Sequence, residues 1–560
     1  MLRRLGTIAL LIGLLAAPAH AQGAELMPGV TYERTVEFTA RGAVVLHVVT
    51  APRPGGLYQL APALARGTIT GGAQRLTQLD KDASSQGTVV GIDGDFSAGA
   101  DAHPAGIVLS GGVLAHPPLA TRSSIGVDAS GGLHVERVKF FGTWRGTGQR
   151  RPLDGFNQQP AQGQVVLLTP TYGPRAPVIP GAAEAILQPF PPTAPNSDLS
   201  ATVTAVGVNG GEAIPPDGAI IQATGTAAAK LQAEAPVGTT VAARLILQPS
   251  WDGVGAALGG GPVLVRAGRP VFRSLEDFSN DQVTARDPRA AIGQLADGRV
   301  VLVAVDGDQP GYSVGLTAFE LAQAMARLGV VSGAGLQSGD GVTVAFDGRL
   351  LNRPHGGEHP VKEALLLQYA GVYAADVPVP LVNGDPGRAS ETLSYKLVRP
   401  STVTAQLVGP DDVPRVLESN VQHPPGSYSF TYSTFDAEGG WRWEVSAKDD
   451  LGRVSSVDRS FRYDTTLRNV VAPSARGSAT VRFTLSRAAK VRLRIETTSG
   501  VVVRDLAPVP LDGGNRSLVW DGRLPGGTRA YGGTYVARLL AASSAGTSEL
   551  AVQFGFRRGS

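Results

Sequence analysis

The segment that decides the fold class is VVLVAVDGDQPGYSVGLTAFELAQAMARLG, residues 300–329. Its first six residues, Val300–Val305, form an uninterrupted apolar run that predicts a β-strand buried on both faces. Thr317 precedes Glu320 by three residues, a capping box that predicts the start of a helix. Gly329 is expected to end that helix in the left-handed conformation. A buried strand followed by an amphipathic helix indicates that the chain is not purely β.

Short alternating patterns that favour β-strands dominate the rest of the chain. Apolar and polar residues alternate between Tyr32 and Val49, and further strands are predicted at Thr88–Ile92, Gly106–Leu109, Ile125–Val127, Val165–Leu168, Ala201–Val206 and Val241–Leu247. The 72 Gly and 40 Pro residues, spread over 560 positions, are typical of turns between short strands. A single hydrophobic core rarely extends over so many residues, so we expect several domains.

The N-terminal residues predict export. Arg3 and Arg4 precede the apolar run Thr7–Ala17, which is too short to cross a membrane, and small residues at positions 19 and 21 predict signal-peptide cleavage after Ala21. No later segment predicts a transmembrane helix, so we expect a secreted or periplasmic protein of the bacterial cell envelope. The absence of Cys excludes a disulfide scaffold. The net charge of +3 and the lack of a Lys/Arg-rich run argue against nucleic-acid binding.

Two segments of similar pattern follow Leu381. Tyr395-Lys396-Leu397 corresponds to Phe483-Thr484-Leu485 at an offset of 88 residues, and each segment has the length and strand density of a small β-sandwich. The predicted domains are therefore a signal peptide (1–21), a first domain (22–381), and two sandwiches (382–467 and 468–560) joined by a linker at Arg468–Ser478.

Motifs between residues 28 and 370 resemble those of the phosphodiester glycosidase family, which is related to the enzyme that uncovers mannose 6-phosphate by removing N-acetylglucosamine. The similar segments occur in the family's order: VGIDGDF (90–96), PAG and GGVL (104–114), RSSIG (122–126), LDGFN (153–157), GGGPVL (259–264), RDPRAAIG (286–293), VDG (305–307) and GYSVGLT (311–317). The resemblance implies an α+β fold, namely a β-rich phosphodiester-glycosidase-like domain followed by the two Ig-like β-sandwiches. It also implies an exported hydrolase that cleaves a sugar-1-phosphodiester in a glycan or envelope polymer.

Such a reaction requires carboxylates for acid–base or nucleophilic work and cations or amides that hold phosphate. The candidate catalytic residues are Asp93, Asp95, Asp306 and Asp340, and the candidate substrate- or phosphate-binding residues are Arg122, Asn157, Arg289, Gln337, Thr343 and Glu358. Asp306 ranks first because it follows the buried strand at its C-terminal end, where the sites of α/β proteins collect. The glycine turns at Gly259–Gly261 and Gly339–Gly341 are expected to let a ligand approach the backbone.

Several polar positions depart from the family's pattern. Gln337 stands where the family has Asp, Asp308 where Arg is usual, and Val342 where it has Ser. We hypothesise that Asp340, three residues after Gln337 in the same glycine-rich loop, takes over the missing carboxylate. The alternative is that the protein has lost catalysis and binds a glycan or another protein in the envelope.

Two literal motif matches predict no function. HGGEH (355–359) spells an inverted zinc-protease motif, but Pro354, Pro360 and its two internal glycines are incompatible with the helix that this motif needs. GYSVG (311–315) spells a nucleophile elbow, but Ser313 lies eight residues beyond the end of the predicted strand. The sequence predicts no cofactor and no metal cluster, although carboxylate-rich loops leave room for a calcium ion.

The tail resembles a second family. VWDG (519–522) and GGTYVA (532–537) resemble the Ig-like module of flagellar hook-capping proteins, which recurs at the C-termini of exported bacterial enzymes. The earlier sandwich is more diverged. We expect both sandwiches to act as spacers or to dock the protein in the envelope.

Overall fold

The computed structural model describes residues 23–96, 103–339, 341–377, 381–383 and 390–559. The predicted signal peptide and Asp340 lie outside these residues. The chain forms two compact units, one of residues 1–84 with Val89–Gln368, the other of Ser85–Thr88 with Tyr369–Ser560.

The first unit is mainly β-structure with short helices. The helices are α1 (Leu76–Ala83), α2 (Gly225–Glu234), α3 (Asn280–Thr284) and α4 (Ala318–Arg327). In chain order, the strands are β1 (Ala24–Met27), β2 (Val30–Thr39), β3 (Gly42–Ala51), β4 (Tyr58–Leu64), β5 (Thr88–Asp93), β6 (Val108–Ser110), β7 (Val113–His116), β8 (Ser124–Asp128), β9 (Leu133–Glu136), β10 (Lys139–Arg145), β11 (Arg151–Leu153), β12 (Gly155–Phe156), β13 (Val165–Leu168), β14 (Val178–Leu187), β15 (Asp198–Gly210), β16 (Ala219–Ala223), β17 (Thr240–Gln248), β18 (Val254–Gly259), β19 (Val263–Arg266), β20 (Arg269–Pro270), β21 (Arg289–Leu295), β22 (Val300–Val305), β23 (Val330–Ser338), β24 (Val344–Phe346), β25 (Arg349–Leu350) and β26 (Glu363–Tyr369).

An eight-stranded sheet with the order β1-β2-β3-β22-β21-β23-β19-β20 carries the decisive segment. Every residue of β22 is buried, which confirms the prediction from its apolar run. Helix α4 packs against this sheet through Leu321, Ala322 and Met325. The predicted capping box is present at its start, and Gly329 adopts a positive φ of 87° just after its end. The strand–turn–helix interpretation is therefore confirmed.

Three further sheets complete the first unit. Their strand orders are β25-β24-β5-β26-β4, β7-β6-β18-β8-β9 and β11-β10-β17-β15-β14-β16-β13-β12. All the short strands predicted from alternation are present, because half-buried sheets place apolar side chains on one face. The sheet that contains β5 matters for the site, since β5 ends at Asp93 and its neighbour β26 begins at Glu363.

The second unit contains two β-sandwiches. Its strands are β27 (Leu381–Asn383), β28 (Glu391–Leu397), β29 (Ser401–Val408), β30 (Pro414–His423), β31 (Gly426–Tyr432), β32 (Gly439–Asp449), β33 (Val454–Asp464), β34 (Leu467–Val471), β35 (Ala475–Arg476), β36 (Ala479–Leu485), β37 (Ala489–Thr497), β38 (Val502–Asp505), β39 (Val509–Leu511), β40 (Gly514–Trp520), β41 (Gly533–Ser543) and β42 (Gly546–Arg557). The first sandwich pairs the sheet β27-β33-β32-β29-β30 with β28-β31, and the second pairs β34-β36-β40 with β35-β42-β41-β37-β38, to which β39 adds beside β37.

The predicted repeat appears in the strand positions. Strand β28 and strand β36 both span seven residues, and each boundary differs by the predicted 88 residues. Inward-facing aromatic side chains fill both cores, among them Trp441 and Trp443 in the first and Trp520 in the second. The chain therefore uses one sandwich plan twice.

Two boundaries differ from the sequence-based expectation. The segment Arg468–Ser478 is not a free linker, because most of β34 and all of β35 lie within it and pair with β36 and β42. The first sandwich also begins before residue 382, since Val372 and Ala374 are buried in its core. Both segments lack strong alternation, so their pairing depends on partners far away in sequence.

Candidate functional site

The ends of three adjacent strands bring the candidate residues to one edge of the eight-stranded sheet. Arg289, the first residue of β21, lies opposite Val305 on β22 and Ser338 on β23. Asp306 directly follows β22, so it reaches the edge at which β23 ends. The backbone N–H of Gln337 donates to the carbonyl of Gly94 (2.8 Å), which brings the end of β5 to the same place.

A buried hydrogen-bonded cluster surrounds Asp306. Its Oδ2 accepts from His47 Nε2 (2.9 Å) and from the Tyr312 hydroxyl (2.9 Å). Its Oδ1 accepts from Asn352 Nδ2 (2.9 Å), and the backbone N–H of Arg353 is shared between both oxygens (3.2 and 3.3 Å). Burial opposes ionisation of this carboxyl, but the hydrogen bonds, above all that from His47, outweigh it and lower the pKa of Asp306. Asp306 is therefore an ionised carboxylate that several donors hold in place.

The Tyr32 hydroxyl links this cluster to the backbone beside it. Burial raises the pKa of Tyr32 to about 12, so its hydroxyl keeps its proton. That hydroxyl lies 2.9 Å from the carbonyl of Leu351, which can only accept, and 2.8 Å from His47 Nδ1. His47 therefore contacts Tyr32 through Nδ1 and Asp306 through Nε2.

Two exposed guanidinium groups flank the cluster at Tyr312. The Arg353 guanidinium lies 4.9 Å from the centre of the Tyr312 ring, and that of Arg34 lies 5.9 Å from it. Tyr312 is half-buried, with its hydroxyl bonded to Asp306 and its ring against both cations. Cation–π contact holds the two charges on the solvent side of the carboxylate.

Asp93 forms a second buried carboxyl site at the same edge. Its Oδ2 accepts from the backbone N–H of Thr343 (2.7 Å), and its Oδ1 accepts from the Thr343 hydroxyl. Burial raises the pKa of Asp93 to about 7, although the two bonds from Thr343 oppose the shift. Asn352 connects the two carboxyl sites, because it also donates to the carbonyl of Val342 (2.8 Å), next to Thr343 in the chain.

Asp95 belongs to a third group with Glu363 and Arg122. Burial raises the pKa of Asp95 to about 6, and the nearby Arg122 partly counteracts that rise. Burial also raises the pKa of Glu363 far above its usual value, and the charge of Asp95 adds to the effect. Within the described part of the chain, Glu363 Oε2 has no hydrogen-bond partner. The Arg122 guanidinium lies 4.3 Å from the ring centre of Phe278 and donates through Nε to the Asp277 carbonyl.

The side chains of two predicted binding residues form their hydrogen bonds within the protein. Buried Arg289 donates to the carbonyls of Leu316, Gln282 and Ala285. Asn157 is fully buried directly after β12, where it donates to the carbonyl of Ala115 (2.7 Å) and exchanges hydrogen bonds with Thr169. The geometry gives both residues a structural task, since no donor of either side chain faces solvent.

The same holds for other candidates. Glu358 accepts from the backbone N–H (2.8 Å) and hydroxyl (2.9 Å) of Thr77, which anchors the first turn of α1. The turn at Gly259–Gly261 packs on Gly106, Asp95 and the carbonyl of Gly335, so its glycines permit close contact within the protein. Gly339, by contrast, has open space beside it and a φ of 94°. The half-buried Gln337 and Gly339 therefore border the loop segment in which Asp340 lies.

The two literal motifs have the structures that their sequence context favours. Residues 355–359 form a turn in which Gly356 and Gly357 have positive φ, and among the described residues no group of three or more His, Cys, Asp or Glu side chains is arranged to hold a metal. Ser313 is buried, and its hydroxyl donates to the carbonyl of Asp306 and accepts from the N–H of Val45. Neither arrangement matches a zinc protease or a serine hydrolase.

Sequence reasoning missed most of the Asp306 cluster. His47 had a signal: it interrupts the apolar inward pattern of β3, and a polar residue at a buried strand position needs a partner. Tyr32 and Arg34 had none, because they precede Tyr312 by 280 and 278 residues. Asn352 had none either, because it follows Asp306 by 46 residues and only the tertiary fold brings the two together.

Comparison with known proteins finds one family match within this unit. The family model for phosphodiester glycosidase matches residues 196–368. No curated protein sequence matches the chain. Among the described residues, no helix has the length and apolar character required to cross a membrane.

The first of three similar solved structures shares the fold over part of the chain. A hypothetical protein from Synechocystis is 24% identical with a TM-score of 0.51, and the match covers 63% of this chain and 64% of that protein. A protein of Burkholderia pseudomallei whose name proposes export is 22% identical (TM-score 0.47; 58% of this chain, 74% of that one). The catalytic domain of zebrafish N-acetylglucosamine-1-phosphodiester alpha-N-acetylglucosaminidase is 11% identical (TM-score 0.31; 62% and 84%).

The family match contains Arg289, Asp306, Gln337, Thr343 and Glu358 and thus spans the sheet edge described above. The resemblance drawn from the motifs is confirmed over this segment. Residues 196–368 of the chain match the phosphodiester glycosidase family model and lie in a β-rich unit that precedes two β-sandwiches.

Proposed function

We propose that the first unit is an exported hydrolase that cleaves a sugar-1-phosphodiester in a glycan or envelope polymer. The observation that carries this proposal is the position of Tyr312. Its ring lies against the guanidinium groups of Arg34 and Arg353, and its hydroxyl donates to the ionised Asp306. Arg34 and Arg353 are cations that suit phosphate, and Asp306 is a carboxylate that suits a positively charged sugar carbon. Tyr312 contacts all three side chains.

The proposed roles follow from charge. Arg34 and Arg353 bind the phosphodiester, because guanidinium groups bind phosphate oxygens in pairs. Asp306, with its lowered pKa, stabilises the positive charge that develops at the anomeric carbon. Asp95, with a pKa of about 6, supplies or accepts the proton, and Arg122 beside it offers a further anion contact. Carboxyls whose pKa values are shifted in opposite directions provide an acid and a base in one site.

The proposal also assigns roles to Asp340 and Gln337. Asp340 would supply the carboxylate that the family has at position 337, while the Gln337 amide hydrogen-bonds a sugar hydroxyl. Export rests on the signal-peptide pattern of residues 1–21.

The test is hydrolysis of a panel of sugar 1-(methyl phosphate) diesters, followed by chromatography of the released sugar. We expect wild-type activity, at least a hundredfold loss for Asp306→Asn and Asp340→Asn, and a raised KM for Arg353→Lys. Asp297→Asn and Arg299→Lys are matched controls, because this exposed pair contacts only itself and should leave the activity unchanged.

A second candidate function, glycan binding without hydrolysis, is favoured by the saturation of Asp306 with four internal donors. Calorimetry with a sugar 1-phosphate distinguishes the two. Binding by a wild type that releases no product, together with activity gained by Gln337→Asp, would replace the hydrolase proposal with the binding one.

A further inference from the structure

The last sandwich carries a large excess of positive over negative charge. Residues 468–560 contain 14 Lys and Arg but 5 Asp and Glu, a formal charge of +9, whereas the whole chain carries +3. The neighbouring sandwich, residues 382–467, has 9 basic and 12 acidic residues and is negative. A charge this uneven indicates that the last module has an anionic partner, which the total charge conceals.

The acidic residues of this module form their ion pairs on its six-stranded sheet. Asp505 pairs with Arg492 and Arg494, and Arg538 bridges Glu496 and Glu549. On the three-stranded sheet β34-β36-β40, the central strand β36 carries the exposed Arg482. No ion pair among the described residues includes Arg482, so its positive charge is uncompensated.

A polar groove of about 580 Å³ lies against this three-stranded sheet. Exposed Arg482, on the central strand β36, lies opposite Ser517 of β40, and Thr484 lies opposite Asn515. Among the described residues, the guanidinium of Arg482 has neither a hydrogen-bond nor an ion-pair partner, and no carboxylate lines the groove. Arg516 also lines it, with its guanidinium held by the backbone carbonyls of Asp512, Gly513 and Asn515.

A second groove in the same module repeats this chemistry. It measures about 480 Å³ and is lined by Arg476 and Arg557, which lie opposite each other on β35 and β42, again without a carboxylate. A groove of about 450 Å³ on the five-stranded sheet of the first sandwich contains the Arg442–Glu444 ion pair and Asp458 instead. Of these three grooves, the two without a carboxylate lie in the last module.

We propose that the last sandwich binds an anionic polysaccharide along the outer face of its three-stranded sheet. The Arg482 guanidinium pairs with carboxylate or phosphate groups, and the amides and hydroxyls of Asn469, Asn515, Thr484 and Ser517 fit sugar hydroxyls. The ring of Phe483 is buried in the core, so this groove offers no aromatic face on which nucleic-acid bases stack. This binding is independent of the proposed hydrolysis.

The experiment measures binding of the full chain to polygalacturonate, with neutral dextran of similar length as the reference. Polygalacturonate contains no phosphodiester, so hydrolysis cannot affect the result. We expect saturable binding that weakens with salt, and no dextran binding. Arg482→Gln should weaken affinity at least fivefold and reduce the salt slope by about one, whereas Arg482→Lys should weaken it less.

Lys490→Gln is the matched control, because it removes one charge from the same module but lies on β37 of the other sheet. Its affinity should change less than twofold. Equal losses in Lys490→Gln and Arg482→Gln would overturn the groove proposal, as would unchanged affinity in Arg482→Gln. Tighter binding of a DNA oligonucleotide with the same number of charges would overturn the choice of a polysaccharide.

Discussion

Asp306 shows how one carboxylate organises the site. It is buried and accepts hydrogen bonds from His47 on β3, from Tyr312 in the segment after β22, and from the segment that follows β25. A buried carboxylate is tolerated only when other groups replace the hydrogen bonds of water. The donors around Asp306 meet that requirement, so the protein itself holds the carboxylate in place.

Replacement of this residue should cost stability as well as activity. Asp306→Asn places an NH₂ group against Tyr312, Asn352 or His47, all of which donate at present. We expect the free energy of unfolding at pH 7 to fall by about 3 kcal/mol in urea denaturation, since a buried pair loses one charge. Asp297→Asn, at an exposed position, should change it by less than about 0.5 kcal/mol. Equal effects of the two variants would contradict a structural role for the cluster.

The contribution of Asp93 to stability should fall as the pH rises. Its pKa of about 7 in the folded chain lies above the value in an unfolded chain, so the protonated form is stabilised by folding. That stability is fully present below about pH 4 and is lost as pH rises through about 7. Between pH 5 and pH 8, the free energy of unfolding of Asp93→Asn, which cannot ionise at this position, should fall by about 2 kcal/mol less than that of the wild type. Parallel stability curves for the two proteins would contradict this prediction.

At the scale of the element, helix α4 depends on its first turn. The Thr317 hydroxyl accepts from the N–H of Glu320 (3.2 Å), and the Glu320 carboxylate accepts from the N–H of Thr317 (2.9 Å). Glu320 also pairs with Arg286, so the same carboxylate ties the helix to the segment before β21.

Removal of this cap should lower the free energy of unfolding measurably. Thr317→Ala leaves the N–H of Glu320 without its acceptor, and we expect a loss of about 1 kcal/mol in the free energy of unfolding. Thr317→Ser keeps the hydroxyl and should retain most of the stability. A Ser variant as destabilised as the Ala variant would assign the effect to the lost methyl group instead.

At the scale of the whole molecule, buried carboxyls set the pH response of the first unit. Burial raises the pKa of Asp80 to about 8, of Asp93 to about 7 and of Asp95 to about 6, and it raises that of Glu363 well above its usual value. All four groups favour the protonated folded state, and their contributions are lost as pH rises through these values. Asp306, with a lowered pKa, contributes stability that disappears only in stronger acid.

Hydrogen exchange of peptides from β22 and β5 tests this response. Because their amides exchange from the core of the first unit, the protection free energy should fall between pH 5 and pH 8 after correction for intrinsic exchange rates. Asp93→Asn should reduce that fall. A protection free energy that rises with pH over this interval would show that the buried carboxyls do not control the stability of the unit.

The uneven charge is a second property of the whole molecule. The negative first sandwich and the positive second one share a single plan of strands at an offset of 88 residues. Their inward patterns match, while their outward side chains differ in sign. The repeat therefore preserves the core and leaves the surfaces free to serve different partners.

The local sequence pattern was sufficient to predict the helices and strands that have buried faces. The run Val300–Val305, the capping box at Thr317 and the 88-residue repeat were all predictable, because burial imposes a period on the residues along each strand or helix. The family motifs likewise indicated the sheet edge at Asp306, since they lie next to the strands that form it. A carboxylate at a strand end was therefore within reach of sequence reasoning.

Only the tertiary structure decided which polar groups meet. Asp306 receives His47 from 259 residues away, and Arg34 and Arg353 reach the same tyrosine from opposite parts of the chain. It also showed that Arg289 and Asn157 are occupied within the protein, and that the cations of the last sandwich lie in grooves free of carboxylates. Periodicity records which side of an element is buried, whereas hydrogen bonds and ion pairs depend on distances between elements that no local pattern contains.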